Sequence, residues 1–232
     1  MQRIFHTPEG VRDIYSQECS RKQKLQEKLH RVFHQYGFED IETPTFEYFE
    51  VFSKEVGTIP SRDLYKFFDR EGNTLVLRPD FTPSVSRACA TYFNPEKEVV
   101  SLCYTGNTFI NNSSFRGRLK ETTQMGVERM GDDSPEADAE ILAMTVECLL
   151  ATGLTEFQVS VGQVDYYKAI FAQTGLSQEE EEELRELISQ KNYFGVEELV
   201  KNKNMDKSLA RVLSQLPQMF GSTEVLEKAK SL

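Results

Sequence analysis

The most informative pattern of apolar and polar positions lies at residues 104–131, which read YTGNTFINNSSFRGRLKETTQMGVERMG. Two extended runs are joined by a polar loop at residues 111–116, and no proline interrupts them, so we predict a β-hairpin. Because successive side chains of a strand point to opposite sides, the even positions of the second run share one face. These positions are Arg118, Lys120, Thr122, Gln124, Gly126 and Glu128.

This face is almost wholly polar, and two interpretations follow. Periodicity alone favours a strand face that is exposed to water. Gly126, however, lies between Gln124 and Glu128, and a glycine within a strand leaves room for a ligand to approach the backbone. The same face is therefore also a candidate floor for a binding site.

Periodicity predicts the elements around the hairpin as well. Apolar residues recur at helical spacing from Leu25 to Tyr36, and Gly37 follows them where a C-terminal cap belongs. Thr82 is placed as the N-cap of a second helix and Pro135 as the first residue of a third. We predict helices at residues 16–36, 83–93 and 135–151, and strands at residues 67–69, 74–77, 99–108, 117–130 and 154–162. The strands should form an antiparallel sheet flanked by helices, an α+β fold.

The pattern changes after Gln163. Residues 164–232 show short helical stretches punctuated by glycine and proline, without strand-like alternation. Ser177 is a good N-cap, and we interpret the glutamates at residues 179–183 as a solvated helix face rather than an acidic interaction patch. The sequence therefore predicts a first domain at residues 1–163 and a helical segment at residues 164–232.

Composition limits the classes of function. The chain has 232 residues, a formal charge of -10 and an isoelectric point near 5.0, which argues against a polyanion such as tRNA as the main partner. The four cysteines are widely spaced and form no CxxC pair, which is typical of free thiols in a reducing compartment. No apolar run approaches the length of a membrane span, so we expect a soluble, cytoplasmic protein with no membrane partner.

The hairpin resembles motif 2 of the class II aminoacyl-tRNA synthetases, and most closely that of the histidyl enzyme. In that family the motif runs aromatic, Arg, x, Glu, then a basic loop, Gly-Arg, and later Gln and Gly-Val-Glu. The matching residues are Phe109, Gly117, Arg118, Gln124, Gly126, Val127 and Glu128. The family's arginine for the ATP α-phosphate falls on Ile110, and its glutamate for the adenine falls on Asn112. Losing one such preorganised donor typically costs about 2.7 to 4 kcal/mol of transition-state stabilisation.

A second block, LRPDFT at residues 77–82, resembles the family's LRPEGT element. There the acidic side chain and the threonine hold the amino group of bound histidine, so Asp80 and Thr82 are the corresponding residues. Asp80 is one methylene shorter than the family's glutamate, and Phe81 replaces a glycine and would reshape or half-fill the pocket. The resemblance implies a histidine site formed by Asp80, Thr82, Gln124, Glu128 and Arg118. Without the resemblance, Asp80 and Thr82 would only cap a helix.

The opening of the chain, with PEGVRD before the first helix and GFEDIETPTFE after it, resembles the family's N-terminus and its motif 1. Motif 1 implies a dimer through this segment, whereas a core helix and a strand need no dimer. His30 and His34 are four residues apart on the helix, but the sequence shows no third ligand nearby. We therefore expect no metal site.

Later family elements are missing: a glycine loop of the GGRYD type, the motif 3 arginine and an anticodon-binding domain. We expect the chain to be a truncated or proteolysed form of a longer protein. The resemblance extends to the histidyl-synthetase paralogues that act as regulatory subunits of ATP phosphoribosyltransferase. It implies a non-catalytic protein without a cofactor, required by a short-form catalytic subunit and sensitive to histidine as effector. The alternative is a histidine-tRNA ligase, or a fragment of one, that activates histidine with ATP.

Overall fold

The structure is a computed structural model that describes residues 5–53, 59–112, 117–203 and 205–231. Its helices are α1 Ser16–Gln35, α2 Glu50–Ser53, α3 Thr82–Tyr92, α4 Pro135–Thr152, α5 Val164–Thr174, α6 Gln178–Ser189, α7 Tyr193–Asn202, α8 Lys207–Gln215 and α9 Glu224–Lys230. Its strands are β1 Glu39–Asp40, β2 Phe46–Tyr48, β3 Lys66–Phe68, β4 Thr74–Leu77, β5 Val100–Phe109 and β6 Glu121–Met130. Within these described ranges, no helix is both long enough and apolar enough to cross a membrane.

The central sheet has the order β1-β5-β6. The predicted hairpin is confirmed, because β5 and β6 pair antiparallel from Val100 opposite Met130 to Phe109 opposite Glu121. β1 adds a short parallel edge to β5. A smaller antiparallel sheet has the order β2-β4-β3.

Both faces of the β5-β6 ribbon are covered. α3 packs against the face that carries Leu102 and Tyr104, through Phe81, Val85 and Cys89. The opposite face packs against α1 and α4 in a second apolar cluster, which includes Val32, Phe33, Phe38, Cys103 and Met144. Near Gly126 and Glu128 the even-numbered face is covered by α3 and Tyr104, so the interpretation as a water-exposed surface is wrong there, whereas Arg118 and Thr122 are exposed.

Several predicted boundaries are confirmed and others are wrong. α1 ends beside Gly37, whose φ of 79° is the left-handed conformation expected of a C-terminal cap. α4 begins at Pro135 as predicted, and Ser134 caps it by accepting a hydrogen bond from the backbone N–H of Ala137. β6, however, begins at Glu121 rather than at residue 117, so strand alternation does not extend to Arg118.

The strand predicted at residues 154–162 does not form. The alternation of Phe157, Val159 and Val161 is typical of a strand, but a strand needs a hydrogen-bonding neighbour. In the described part of the chain both sheets are composed of other segments. Val161 is accordingly 73% exposed.

Contacts divide the chain into two compact units, Met1–Gln158 and Val159–Leu232. The second unit is helical, and its core is formed by Ile170, Phe171, Leu184, Val196, Leu199, Val200 and Leu213. Ser177 is the N-cap of α6 as predicted, and it forms a capping box with Glu180. The predicted site residues all belong to the first unit.

Candidate functional site

Four of the five predicted site residues meet where the start of α3 lies against β6. The hydroxyl of Thr82 donates to Oε1 of Glu128 at 2.6 Å, and the amide of Gln124 donates to Oδ1 of Asp80 at 3.2 Å. All four side chains are neither fully buried nor fully exposed. The site is therefore preassembled and remains accessible from solvent.

The local sequence determines which way these groups point. Phe81 rather than Thr82 precedes the first residue of α3, and its own side chain offers no cap, so the N-cap predicted at Thr82 is wrong. Oδ1 of Asp80 instead accepts a hydrogen bond from the backbone N–H of Phe81 at 2.7 Å. Because Thr82 does not cap the helix, its hydroxyl is directed across to β6 and Glu128.

Tyr104 is part of the site although sequence reasoning did not select it. It lies directly opposite Gly126 in the β5-β6 register, and its phenol donates to Glu128 at 3.4 Å. The sequence could have indicated Tyr104 through the pairing of the two strands, because an aromatic residue directly opposite a strand glycine can lay its ring across that glycine.

The gap that the sequence predicted at Gly126 is filled by the ring of Tyr104. A Cβ placed on Gly126 would lie 2.6 Å from Cζ of that ring. On its other side, the ring is stacked 4.3 Å from the ring of Phe81 with an interplanar angle of 10°. Phe81 is thus a buried core residue at 2% exposure, and the floor of the site is a side chain rather than open backbone.

The electrostatics of the site are acidic. Burial raises the pKa of Glu128, and the nearby Asp80 raises it further, while the hydrogen bond from Thr82 opposes both effects. Burial and the charge of Glu128 also raise the pKa of Tyr104. In the described residues neither Asp80 nor Glu128 forms an ion pair with a basic side chain. Two carboxyl groups that share a partly buried site without a cation favour a positively charged ligand.

Ile110 and Asn112, which the sequence predicts to stand at the family's nucleotide contacts, lie just after the end of β5. Ile110 is partly buried, and its backbone N–H donates to the carbonyl of Lys120 at 2.9 Å. The side-chain amide of Asn112 donates to the carbonyl of Leu119 at 3.3 Å. Neither side chain carries a charge.

Arg78 is a strong cation close to the site, but its guanidinium group is already bonded. It donates to the carbonyl oxygens of Asn107, Thr43 and Pro44 and lies 4.0 Å above the ring centre of Phe81. At 7% exposure it is part of the core. Its charge is therefore engaged with backbone carbonyls and the ring of Phe81.

The fifth predicted residue, Arg118, lies outside this network. Its side chain is exposed and it precedes β6. Residues 113–116 of the predicted loop, including Arg116, lie outside the described residues.

His30 and His34 have further potential ligands nearby, contrary to the expectation from the sequence. The structure brings Asp40 and Cys103 to the same place, and the potential ligand atoms of the four residues lie within 4.8 Å of one another. Asp40 is near in sequence, but Cys103 is brought there by the pairing of β1 with β5.

The fold is that of the class II synthetase-like proteins of the histidyl type. A solved structure described as an ATP phosphoribosyltransferase regulatory subunit/histidyl-tRNA synthetase from Bacillus halodurans superposes with a TM-score of 0.88 at 31% identity, covering 100% of this chain and 60% of that one. The family described as Histidyl-tRNA synthetase matches residues 10–232, and the chain belongs to this family.

Two curated relatives carry a more specific name. Proteins called ATP phosphoribosyltransferase regulatory subunit are 42% identical in Acetivibrio thermocellus and 39% identical in Ruminiclostridium cellulolyticum, each over 226 residues. The match covers 97% of this chain and 54% of each relative. The chain thus spans about half the length of the curated relatives it matches.

Proposed function

We propose that the chain belongs to a regulatory subunit of ATP phosphoribosyltransferase and binds histidine at the site formed by Asp80, Thr82, Gln124 and Glu128. The names of the relatives, at 42% and 39% identity over 97% of the chain, support the first part. The second part is supported by the network that joins α3 to β6. A direct contact of the effector with Arg118 stays a prediction.

The observation that carries the proposal is the pair of carboxyl groups without a basic partner in the described residues. An amino acid brings an ammonium group that three hydrogen bonds can satisfy, and charge-assisted hydrogen bonds to carboxylates are stronger than neutral ones. Asp80 and Glu128 are each already oriented by a neutral donor, Gln124 and Thr82 respectively. Binding an ammonium group at this place therefore requires little rearrangement of the site.

The same site is poorly equipped for amino-acid activation. Charge that develops at the ATP α-phosphate requires a preorganised donor, and the aliphatic side chain of Ile110 offers none. Asn112 has no carboxylate for the adenine, and Arg78 is bonded to backbone carbonyls. We infer a non-catalytic subunit that needs no cofactor and does not act on tRNA.

The proposed protein assembles with a short-form catalytic subunit in the cytoplasm and relays feedback inhibition by histidine. Such a relay requires histidine to bind the inhibited assembly more tightly than the active one, and a coupling free energy of about 1–3 kcal/mol changes affinity 5- to 150-fold. We further propose self-association through the motif 1-like segment. There Phe46 and Tyr48 on β2 are 51% and 55% exposed.

The second candidate is a histidine-tRNA ligase, and the family description favours it. One pair of assays separates the two functions. The protein, in the full length that its gene encodes, is mixed with a short-form catalytic subunit, and phosphoribosyl transfer is measured with and without histidine. Histidine-dependent exchange of pyrophosphate into ATP is measured on the same preparation. Activation and histidine inhibition of the transferase, without exchange, are the expected results; exchange without activation would overturn the proposal.

The site itself is tested by calorimetric titration of histidine into the full-length protein and into the 232-residue chain. Gln124→Ala and Glu128→Gln should weaken binding and feedback inhibition without lowering the melting temperature appreciably. Glu121→Gln is the matched control, because Glu121 lies on the same strand but bonds to Asn107. If Gln124→Ala and Glu128→Gln bind histidine as tightly as Glu121→Gln and the parent protein do, the effector binds elsewhere.

A further inference from the structure

Four side chains with the chemistry of metal ligands meet on the side of the central sheet that is covered by α1. His30 and His34 are one helical turn apart on α1, and their ring centres are 4.2 Å apart. Asp40 lies on β1, and Cys103 lies on β5 as its direct register partner. We call these four residues the His-Asp-Cys cluster.

All potential ligand atoms of the cluster lie within 4.8 Å of one another, and two of the separations to Asp40 are near those around a tetrahedral zinc ion. Bonds of about 2.0–2.1 Å to nitrogen or oxygen and about 2.3 Å to sulfur separate neighbouring ligand atoms by about 3.3–3.6 Å. Sγ of Cys103 is 3.5 Å from Oδ1 of Asp40, and Nε2 of His34 is 3.0 Å from Oδ2 of Asp40. Nε2 of His30 is 2.5 Å from Oδ1 of Asp40. That pair would have to open by about 0.8 Å to reach tetrahedral spacing.

The donor set selects the type of ion. Two imidazoles, one carboxylate and one thiol suit Zn²⁺, which takes nitrogen, sulfur and oxygen ligands in tetrahedral sites. Ca²⁺ and Mg²⁺ require six or more oxygen ligands and have little affinity for imidazole or thiol groups. The cluster is therefore not a site for the hard cations that accompany nucleotides.

The scaffold holds the ligands in place and leaves one side open. Spacing of four residues on a helix places two histidines on one face, and the pairing of β1 with β5 fixes Asp40 beside Cys103. Cys103 is fully buried in the core, whereas the side chains of His30, His34 and Asp40 are 38%, 46% and 59% exposed. An ion can enter from the exposed side, and the thiol would coordinate it from below.

Asp40 is the common hydrogen-bond acceptor of the cluster. Asp40 accepts hydrogen bonds from His30 and His34. Burial raises the pKa of Cys103 to about 12, and the thiol donates to Asp40. Coordination would displace this proton, because a thiol bound to zinc is deprotonated.

We propose that His30, His34, Asp40 and Cys103 bind one Zn²⁺ ion in a closed, structural site that ties α1 to the β1-β5 edge of the central sheet. Four protein ligands leave no open coordination position for substrate, which distinguishes a structural site from a catalytic one. The site lies on the face of β5 opposite to Tyr104, since Cys103 and Tyr104 are adjacent on the strand. Its role is separate from that of the proposed histidine site.

The test is equilibrium dialysis of the 232-residue chain against Zn²⁺, with bound metal measured by mass spectrometry, together with an absorption titration with Co²⁺. One equivalent of Zn²⁺ and a thiolate-to-cobalt charge-transfer band are expected. His34→Gln should weaken binding at least about tenfold, since even the loss of an outer-shell partner costs 10- to 100-fold. Cys103→Ser should abolish the charge-transfer band.

Cys148→Ser and His6→Gln are matched controls from outside the cluster and should leave binding unchanged. The exposed position of His34 keeps the test valid if replacement of the buried Cys103 unfolds the chain. Absence of Zn²⁺ binding to the parent chain, or binding that His34→Gln does not weaken, would overturn the proposal. A cobalt complex without a thiolate band in the parent chain would overturn it as well, since it excludes Cys103 as a ligand.

Discussion

Gly126→Ala is the substitution that most directly tests the packing of the candidate site. The added Cβ would lie 2.6 Å and 3.0 Å from Cζ and Cε2 of Tyr104, whereas carbon atoms in contact prefer about 3.5–4.0 Å. The ring must therefore move by about 1 Å. It cannot do so freely, because it is 5% exposed and is stacked on Phe81.

Two opposing terms set the magnitude of this effect. Overpacking of a core costs about 1–3 kcal/mol, and replacing a strand glycine by alanine returns about 0.5–1 kcal/mol of backbone entropy. We expect a net loss of about 1–2 kcal/mol, which lowers the melting temperature by about 2–8 °C in a protein of this size.

Differential scanning calorimetry measures this loss, and Gly162→Ala is the matched control. A Cβ on Gly162 meets no atom within 4 Å, so its effect should stay within about 0.5 kcal/mol. Adding Tyr104→Phe to Gly126→Ala removes the phenol oxygen from the clash and should restore part of the stability. A melting temperature for Gly126→Ala equal to that of Gly162→Ala would refute the placement of the Tyr104 ring against Gly126.

Two further predictions concern the hydrogen-bond network and the exposed aromatic residues of β2. Thr82→Val removes the donor that opposes the raised pKa of Glu128. A carboxyl group with a raised pKa is most favourable to the fold when protonated, and its contribution is lost as pH rises through that pKa. The variant should therefore lose about 1–2 kcal/mol at pH 8 and less at pH 5 in urea unfolding, and an equal loss at both pH values would contradict this account. Replacing Phe46 and Tyr48 by serine should lower the dimer fraction in sedimentation experiments, whereas Phe194→Ser, at a 72% exposed residue of the second unit, should not; an unchanged fraction would exclude β2 from the interface.

Elements with strong local signals could be predicted from the sequence. The end of α1 at Gly37, the start of α4 at Pro135 and the extent of β4 follow from capping chemistry and periodicity. These features depend on residues within a few positions of one another. The strand predicted at residues 154–162 does not form, although its apolar and polar residues alternate. Alternation is a property of the segment alone, whereas a strand also requires a neighbouring strand to which its backbone can hydrogen-bond.

The candidate site was only partly within reach of sequence reasoning. Asp80 and Thr82 bond to partners 44 and 46 positions later, and the resemblance to the synthetase motifs, rather than periodicity, selected them. The packing of Tyr104 against Gly126 depends on the register of the hairpin. Cys103 approaches Asp40 across 63 positions through a parallel strand pair, and no local pattern indicates such a pair.

The guanidinium group of Arg78 links the two β-sheets of the first unit. It holds the carbonyl oxygens of Thr43 and Pro44, which lead into β2, and that of Asn107 in β5. Asp80 follows only two positions later in the chain. The backbone that carries Asp80 is therefore anchored to both sheets through the side chain of Arg78, and this anchoring restrains Asp80 in the position that the structure shows.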